Sequence, residues 1–322
     1  MKKISGFILL IIFVLIISSC QDVSEYNLFY RFENDEYIDI NLYQKGDESN
    51  AQDIITAIDY WNIMLDHENV NDTNDNLAAL NVNKYANLDD ELVELIKYTI
   101  DLSSSYKVVN PLYGTLKDLW DLHMITEELP TENECLTQIE VSLSTRVAIN
   151  GNDVHLLGDG LIDLDYIKKG FIGEKIKEYL WSKGIDRYVI NYNADLVLYG
   201  KNKNGGSFET SFYGMKNGTY NLSDITLIRV TADNNCFYTK DRRRWADIPS
   251  FVTGIPNDTF ETLFVLGEDA LKNSILAYAY YSLEVADVKL DEEKNNIMFA
   301  GYRDKNLVYR SLKLENLLVD ER

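Results

Sequence analysis

The sequence predicts an α+β fold, with a mixed, mostly antiparallel sheet and packed helices. Three observations predict it. Stretches with apolar residues three and four apart are interspersed with shorter alternating stretches. Several alternating stretches follow one another through Gly- or Asn-bearing turns, as antiparallel hairpins do. The 322 residues are 46% hydrophobic, enough to fill a large core in one domain or two intimately packed halves.

Taken in order, residues 21–32 form a tether or a first strand. Residues 37–43, YIDINLY, alternate as a half-buried strand should. Residues 51–65 carry Ile54, Ile55, Ile58, Trp61 and Leu65 at helical spacing. Residues 67–83 are rich in Asn and Asp and read as a loop with a short helical piece. Residues 87–106 are a helix: Asn87 is placed to cap it, acids fill its first turn, and Leu92, Val93, Ile96 and Ile100 share a face. A turn and a short helix follow at 106–120, then a helix at 131–143 and a hairpin at 146–164. Strands are expected within 206–213, 227–232 and 262–267, a helix at 268–281, and a closing hairpin at 295–312.

The formal charge of −21 disfavours nucleic acid as a partner, because a phosphate backbone is repelled. Any anionic ligand must therefore meet a local group of cations or amides. Two lysines, an apolar run at 4–17 and then Ser18-Ser19-Cys20 mark a secretory signal, too short for a membrane span of about 20 residues. The ending resembles a bacterial lipobox, which makes Cys20 a lipidation site and places the mature chain, 20–322, at a membrane on the extracytoplasmic side. An ordinary signal peptide and an uncleaved anchor are the alternatives. Cys135 and Cys236 form no CxxC pattern and read as buried free thiols, with a disulfide between them as the alternative outside the cytoplasm, and three scattered histidines give no zinc cluster.

Residues 161–196 read strand, turn, helix, strand. LIDL ends a strand, DYIKKG turns, and a helix begins at Phe171 with Ile172, Ile176 and Leu180 inward and Gly184 as its stop. Lys168 and Lys169 then stand beside a helix start, which suits a phosphate. Two solvated surface lysines are the plainer alternative.

The chain resembles the ApbE family, the FAD:protein FMN transferases, typically bacterial lipoproteins. The family turn D-L-G-G-I-A-K-G-Y is similar to Asp163-Leu164-Asp165-Tyr166-Ile167-Lys168-Lys169-Gly170-Phe171. The family's N-L-G-G-D-I is similar to Asn191-Tyr192-Asn193-Ala194-Asp195-Leu196. Upstream, G-A-F-D-P-T-V-G-P-L resembles the ten residues 107–116, from Lys107 through Val108, Val109, Asn110 and Pro111 to Leu116, followed by Leu119-Trp120. Leu80-Asn81, residues 252–256 (VTGIP) and the helix from Ala270 match further family segments in order. The resemblance implies a duplicated T-fold and FAD as ligand or substrate. It also implies a target flavoprotein as partner and Mg²⁺-dependent transfer of FMN to a Thr or Ser hydroxyl, or hydrolysis of FAD. It implies a flavin site at Val108, Val109, Asn110, Asp165, Lys169 and Phe171. It places the metal at the Lys168 carbonyl, Asn273 and Ala277, with Ser274 and Tyr278 as the other register.

The chain departs from the family at that site. Neither register supplies the family's metal-binding carboxylate, so Mg²⁺ is expected to bind weakly or not at all. Asn110 replaces an acid, and Asp165 and Tyr166 replace two glycines. Asp247 lies near the place of a family histidine, and residues 34–36 near its M-D-T. Two readings stand open: a transferase with a modified site, and a non-catalytic member that binds flavin or a partner protein.

Overall fold

A computed structural model describes residues 25–32, 36–44, 48–105, 109–126, 128–212, 218–231, 250, 252–255, 259–295 and 297–320. Cys20 and the signal segment, Asn34, Asp35, Lys107, Val108, Cys236, Asp247 and Pro256 lie outside the described residues.

The expected α+β class holds. The main sheet has eight strands: β1 (Tyr26–Arg31), β2 (Tyr37–Leu42), β6 (Tyr188–Tyr192), β7 (Leu196–Tyr199), β10 (Ile225–Thr231), β11 (Thr262–Gly267), β12 (Met298–Arg303) and β13 (Asn306–Arg310), in that spatial order. Every neighbouring pair in it is antiparallel. A three-stranded sheet orders β3 (Tyr85–Asn87), β5 (Asp153–Leu157) and β4 (Arg146–Asn150). Another orders β14 (Leu318–Asp320), β9 (Thr219–Leu222) and β8 (Phe208–Thr210). The helices are α1 (Glu48–Met64), α2 (Leu77–Asn83), α3 (Asp90–Ser105), α4 (Gly114–Thr126), α5 (Glu132–Ser144), α6 (Asp165–Ser182), α7 (Ala270–Tyr281), α8 (Val285–Asn295) and the one-turn α9 (Leu312–Glu315).

The main sheet is covered on both faces, and the period-2 alternation of its strands assigns each side chain to one of them. Along β11, Leu263 and Val265 enter the core beneath α1, α3, α6 and α7, while Phe264 and Leu266 enter a second core with Tyr220, Leu222 and Tyr302. Strand β11 is therefore apolar at nearly every position, without the alternation of a half-exposed strand. Helices α6 and α7 pack on each other, and α7 lies on β10 and β11. Gly170 permits that approach: a Cβ there would meet the Ala270 carbonyl at 2.5 Å and Ser274 Oγ at 2.4 Å.

Three expectations need correction. Asn87 does not cap α3; its amide bonds Asp153 across the small sheet, and Asp89 Oδ1 accepts the Glu91 N–H instead. Residues 161–164 do not form a strand; Leu161 makes an isolated bridge to Tyr113, and Leu164 already caps α6. Helix α6 begins at Asp165, six residues earlier than the pattern suggested, because Asp163 Oδ1 accepts the Asp165 N–H at 2.7 Å and the Leu164 carbonyl accepts from Ile167 and Lys168. The lysines therefore lie at the end of the first helical turn and just beyond it. Strands β3, β7, β9 and β14 and helices α8 and α9 went unread, most of them three or four residues long or, for α8, largely charged. Buried free Cys135 is as expected; it packs with Leu116, Trp120 and Ile139 between α4 and α5. No helix among the described residues is long and apolar enough to cross a membrane.

Candidate functional site

Segments distant in sequence converge on the start of α6. Asn81, on α2, clamps the Ile162 backbone: Oδ1 accepts its N–H and Nδ2 donates to its carbonyl, both at 2.8 Å. Asp163 N donates to the Pro111 carbonyl, and Gly114 N to the Leu161 carbonyl. A Cβ at Gly114 would meet Leu161 Cβ at 2.9 Å, so the tight approach requires glycine. The family-like segments at 80–81, 110–114 and 163–171 thus meet at one place. Trp120 likewise donates to the Gly254 carbonyl, joining two more of them.

At this junction stands a charged group that the sequence did not reveal. Lys117 Nζ, from α4, lies 2.7 Å from Asp165 Oδ2 and 3.2 Å from Asp163 Oδ2. His67 Nδ1 is 3.6 Å from Asp165 Oδ1, and its Nε2 is 3.8 Å from Asp163 Oδ2. Asp163 is wholly buried, and its Oδ2 has no hydrogen bond of good geometry. Burial raises the Asp163 pKa, and the Asp165 charge adds to that. For Asp165 burial acts the same way, but His67 and Lys117 outweigh it and hold the group well below the usual carboxylate range. Burial would lower the His67 pKa; the Asp165 hydrogen bond and the two carboxylate charges overcome it and lift it to about 9. Lys117 is likewise pushed up against its burial by both acids. The negative charge that Asp165 adds in place of a glycine is therefore matched by Lys117 and His67.

Because folding raises the His67 pKa, its stabilisation is complete below the unfolded value of about 6.5 and is lost as pH rises through about 9. The melting-temperature gap between the parent and His67→Gln should be largest near pH 6 and close by about pH 10, read by calorimetry. A gap constant across that range would show that the imidazolium contributes nothing.

A second charged group holds Lys169. Its Nζ is 2.5 Å from Asp195 Oδ2 and 3.8 Å from Glu36 Oε1. Arg229, from β10, donates to Asp195 Oδ1 from Nε at 3.1 Å and Nη2 at 2.9 Å. Asp195 follows a turn in which Asn193 and Ala194 both have positive φ, 53° and 57°. Those are the positions of the two glycines in the family's N-L-G-G-D-I, and left-handed backbone explains glycine there. Asn191 Oδ1 holds the turn by accepting the Ala194 N–H.

The remaining expected site residues separate. Asn110 Oδ1 accepts the Leu112 N–H and shapes the turn ahead of α4, and Val109 is buried beside it. Phe171 is 6% exposed and packs edge-on against Trp61 at 4.7 Å, facing the core. Tyr166 is buried, its ring 5.7 Å from both Tyr113 and Tyr278. Asn273 Nδ2 donates to the Thr226 and Gly267 carbonyls at 3.0 and 3.1 Å, so the amide faces the sheet. Ala277, one turn on, is wholly buried in the core. Ser274 Oγ instead lies against Gly170, and Tyr278 meets Tyr166, so Ser274 and Tyr278 are the register that faces α6.

This arrangement does not fit Mg²⁺ at Lys168, Asn273 and Ala277. The ion prefers carboxylate and water oxygens in an octahedron. Here one side chain is a methyl group and another is an amide held on backbone carbonyls. The oxygens of Asp163 and Asp165 and the His67 nitrogens do lie within 4.8 Å of one another. The Lys117 ammonium already bridges those acids, however, and the imidazole is held protonated.

The ApbE family profile matches residues 35–296. The chain belongs to the ApbE family. Among curated proteins, the FAD:protein FMN transferase of Vibrio cholerae is 22% identical over 173 residues, 51% of this chain and 52% of that protein. The match thus spans about half the length of that relative. Among solved structures, the apo flavinyl transferase ApbE of Pseudomonas stutzeri has a TM-score of 0.76 at 14% identity, over 92% of this chain and 98% of that one. The ApbE protein of Thermotoga maritima has a TM-score of 0.78 at 16% identity, over 93% and 100%. These likenesses establish a shared fold along almost the whole length. Of the residues in the two charged groups, Asp163, Asp165, Lys169 and Asp195 stand in family-like motifs, whereas Lys117, His67 and Arg229 carry no sequence signal.

Proposed function

We propose that this chain is a flavin transferase that binds FAD beside the start of α6 and moves its FMN half to a Thr or Ser hydroxyl of a target flavoprotein. The observation that carries this reading is the convergence of the family-like segments 80–81, 110–114, 163–171 and 191–196 around two charged groups, Lys117 and His67 with Asp163 and Asp165, and Lys169 and Arg229 with Asp195. In a chain of net charge −21, the two phosphates of a dinucleotide need such local cations. Lys169 and Arg229 share Asp195, which holds both cations together beside the start of α6, where a phosphate oxygen would compete with the carboxylate for them. In the transfer, the acceptor hydroxyl oxygen bonds the FMN phosphorus, the bond to the AMP phosphate breaks, AMP departs with the electron pair, and the hydroxyl proton is released. The cations offset charge on the leaving phosphate.

Calorimetry with FAD tests the binding step. Lys169→Ala should weaken affinity about tenfold or more, the loss of one charge-assisted contact. Equal affinity in both proteins would return Lys169 to a purely structural ion pair.

We also propose that the mature protein begins at lipidated Cys20, on the extracytoplasmic side of a membrane. The Ile17-Ser18-Ser19-Cys20 sequence after the apolar run supports it. Cys20→Ala should leave precursor or release soluble protein on fractionation; an unchanged mature N-terminus and unchanged membrane recovery would contradict it.

A further inference from the structure

Away from the α6 junction, a groove of about 470 Å³ is lined by residues 73–75, Asn83 and the three residues of β3. Strand β3 is the outer strand of its sheet. Its register pairs Tyr85 with His155, Ala86 with Val154 and Asn87 with Asp153. Leu156 N donates to the Lys84 carbonyl and Leu88 N to the Asn152 carbonyl. Residues 84, 86 and 88 therefore occupy the hydrogen-bonded positions of the ladder. The backbone N–H and C=O groups of Tyr85 and Asn87 point the other way, toward the groove. Among the described residues they have no backbone partner.

The side chains around this open edge are set for a cationic chain. Asp75 Oδ1 is fixed by the Thr73 hydroxyl and the Asn71 amide, and those bonds hold its pKa down. Asp153 Oδ1 is fixed by the Tyr85 hydroxyl and the Asn87 amide, with the same effect. Each carboxylate has its second oxygen outside these bonds. Tyr85 is 44% exposed and lies against the His155 ring at 4.7 Å, a platform for an aliphatic stem. No lysine or arginine lines the groove among the described residues.

We propose that the groove takes an extended, lysine- or arginine-bearing segment of the acceptor protein as an added strand on β3. This rests on the transferase reading for the identity of the partner. Exposed sheet edges recruit peptides through main-chain hydrogen bonds, with side-chain contacts adding selectivity. The position suits an acceptor: Asn83 is two residues beyond Asn81, the residue that clamps Ile162 ahead of Asp163, and Lys84 Nζ donates to the Gly160 carbonyl. A strand held here presents its chain beside the segment leading into the proposed flavin site.

The test uses the full mature chain and a blocked peptide of alternating threonine and lysine, about eight residues long. Its threonine–glutamate counterpart and a maltooligosaccharide serve as competing probes. In NMR titrations, the lysine peptide should saturably shift the Tyr85 and Asn87 amides. The Asp75→Asn/Asp153→Asn double variant should bind it about tenfold more weakly, and added salt should weaken the parent's binding. Binding of the lysine peptide that both variant and salt leave unchanged would overturn the proposal. So would preference for the glutamate peptide, or binding of the sugar alone. AMP release from FAD is followed in the same samples. Peptide binding as described, without FAD cleavage by the parent, keeps the groove and removes the transferase reading. Cleavage with no peptide binding does the reverse.

Discussion

Replacing Lys117 with methionine is expected to destabilise the fold by about 3–5 kcal/mol, the usual cost of removing one partner from a buried ion pair. The variant leaves Asp163, wholly buried, and Asp165 facing each other with His67 as their remaining cationic neighbour among the described residues. Methionine keeps most of the aliphatic volume, so the loss reports charge. The companion change is Asp165→Gly, which removes the acid that Lys117 contacts at 2.7 Å. In the double variant much of the loss should be recovered, because one like charge has gone with its partner. Urea unfolding measures all four members of the cycle. A loss below about 1 kcal/mol for the single variant, or strict additivity, would place Lys117 among weak surface pairs.

Asn273→Asp carries the second large effect, again about 3–5 kcal/mol. The change is nearly isosteric, but Asn273 is 1% exposed and its Nδ2 serves the Thr226 and Gly267 carbonyls. An aspartate turns that donor into an acceptor facing two carbonyl acceptors, and buries a charge against them. Ser274→Asp, on the face toward Gly170, should place its carboxylate at the α6 turn instead. If added Mg²⁺ raises the melting temperature of Ser274→Asp and not of Asn273→Asp, the register is as described. The opposite result would reverse it.

Much of the architecture was legible because local periodicity and global packing agree. Ile54, Ile55, Ile58 and Trp61 sit at helical spacing and all enter the core. Gly184 ends α6 with a φ of 65°, as a helix stop should. The start of α6 differs from the expected one because its N-cap, Leu164, makes no side-chain cap bond and the entry is fixed by the Asp163–Asp165 turn instead, neither of which leaves a capping pattern in the sequence. The same limit hid the charged group. Lys117 and Asp165 are 48 residues apart, and only the clamping of 160–164 by Asn81 and the 110–114 turn brings them together. Lys169 and Asp195 were visible as motif positions, but their ion pair, and the part of Arg229 in it, follow from tertiary structure. Phe171 matched a motif position, but its packing edge-on against Trp61 in the core follows from tertiary structure.

The most direct test of the transferase reading is AMP release from FAD by the purified mature chain, followed by chromatography with added Mg²⁺ and with chelator. With no acceptor protein present, water takes the hydroxyl's place. FMN and AMP should accumulate together in equal amounts, more slowly in Lys169→Ala. FAD recovered intact under both conditions would contradict that reading.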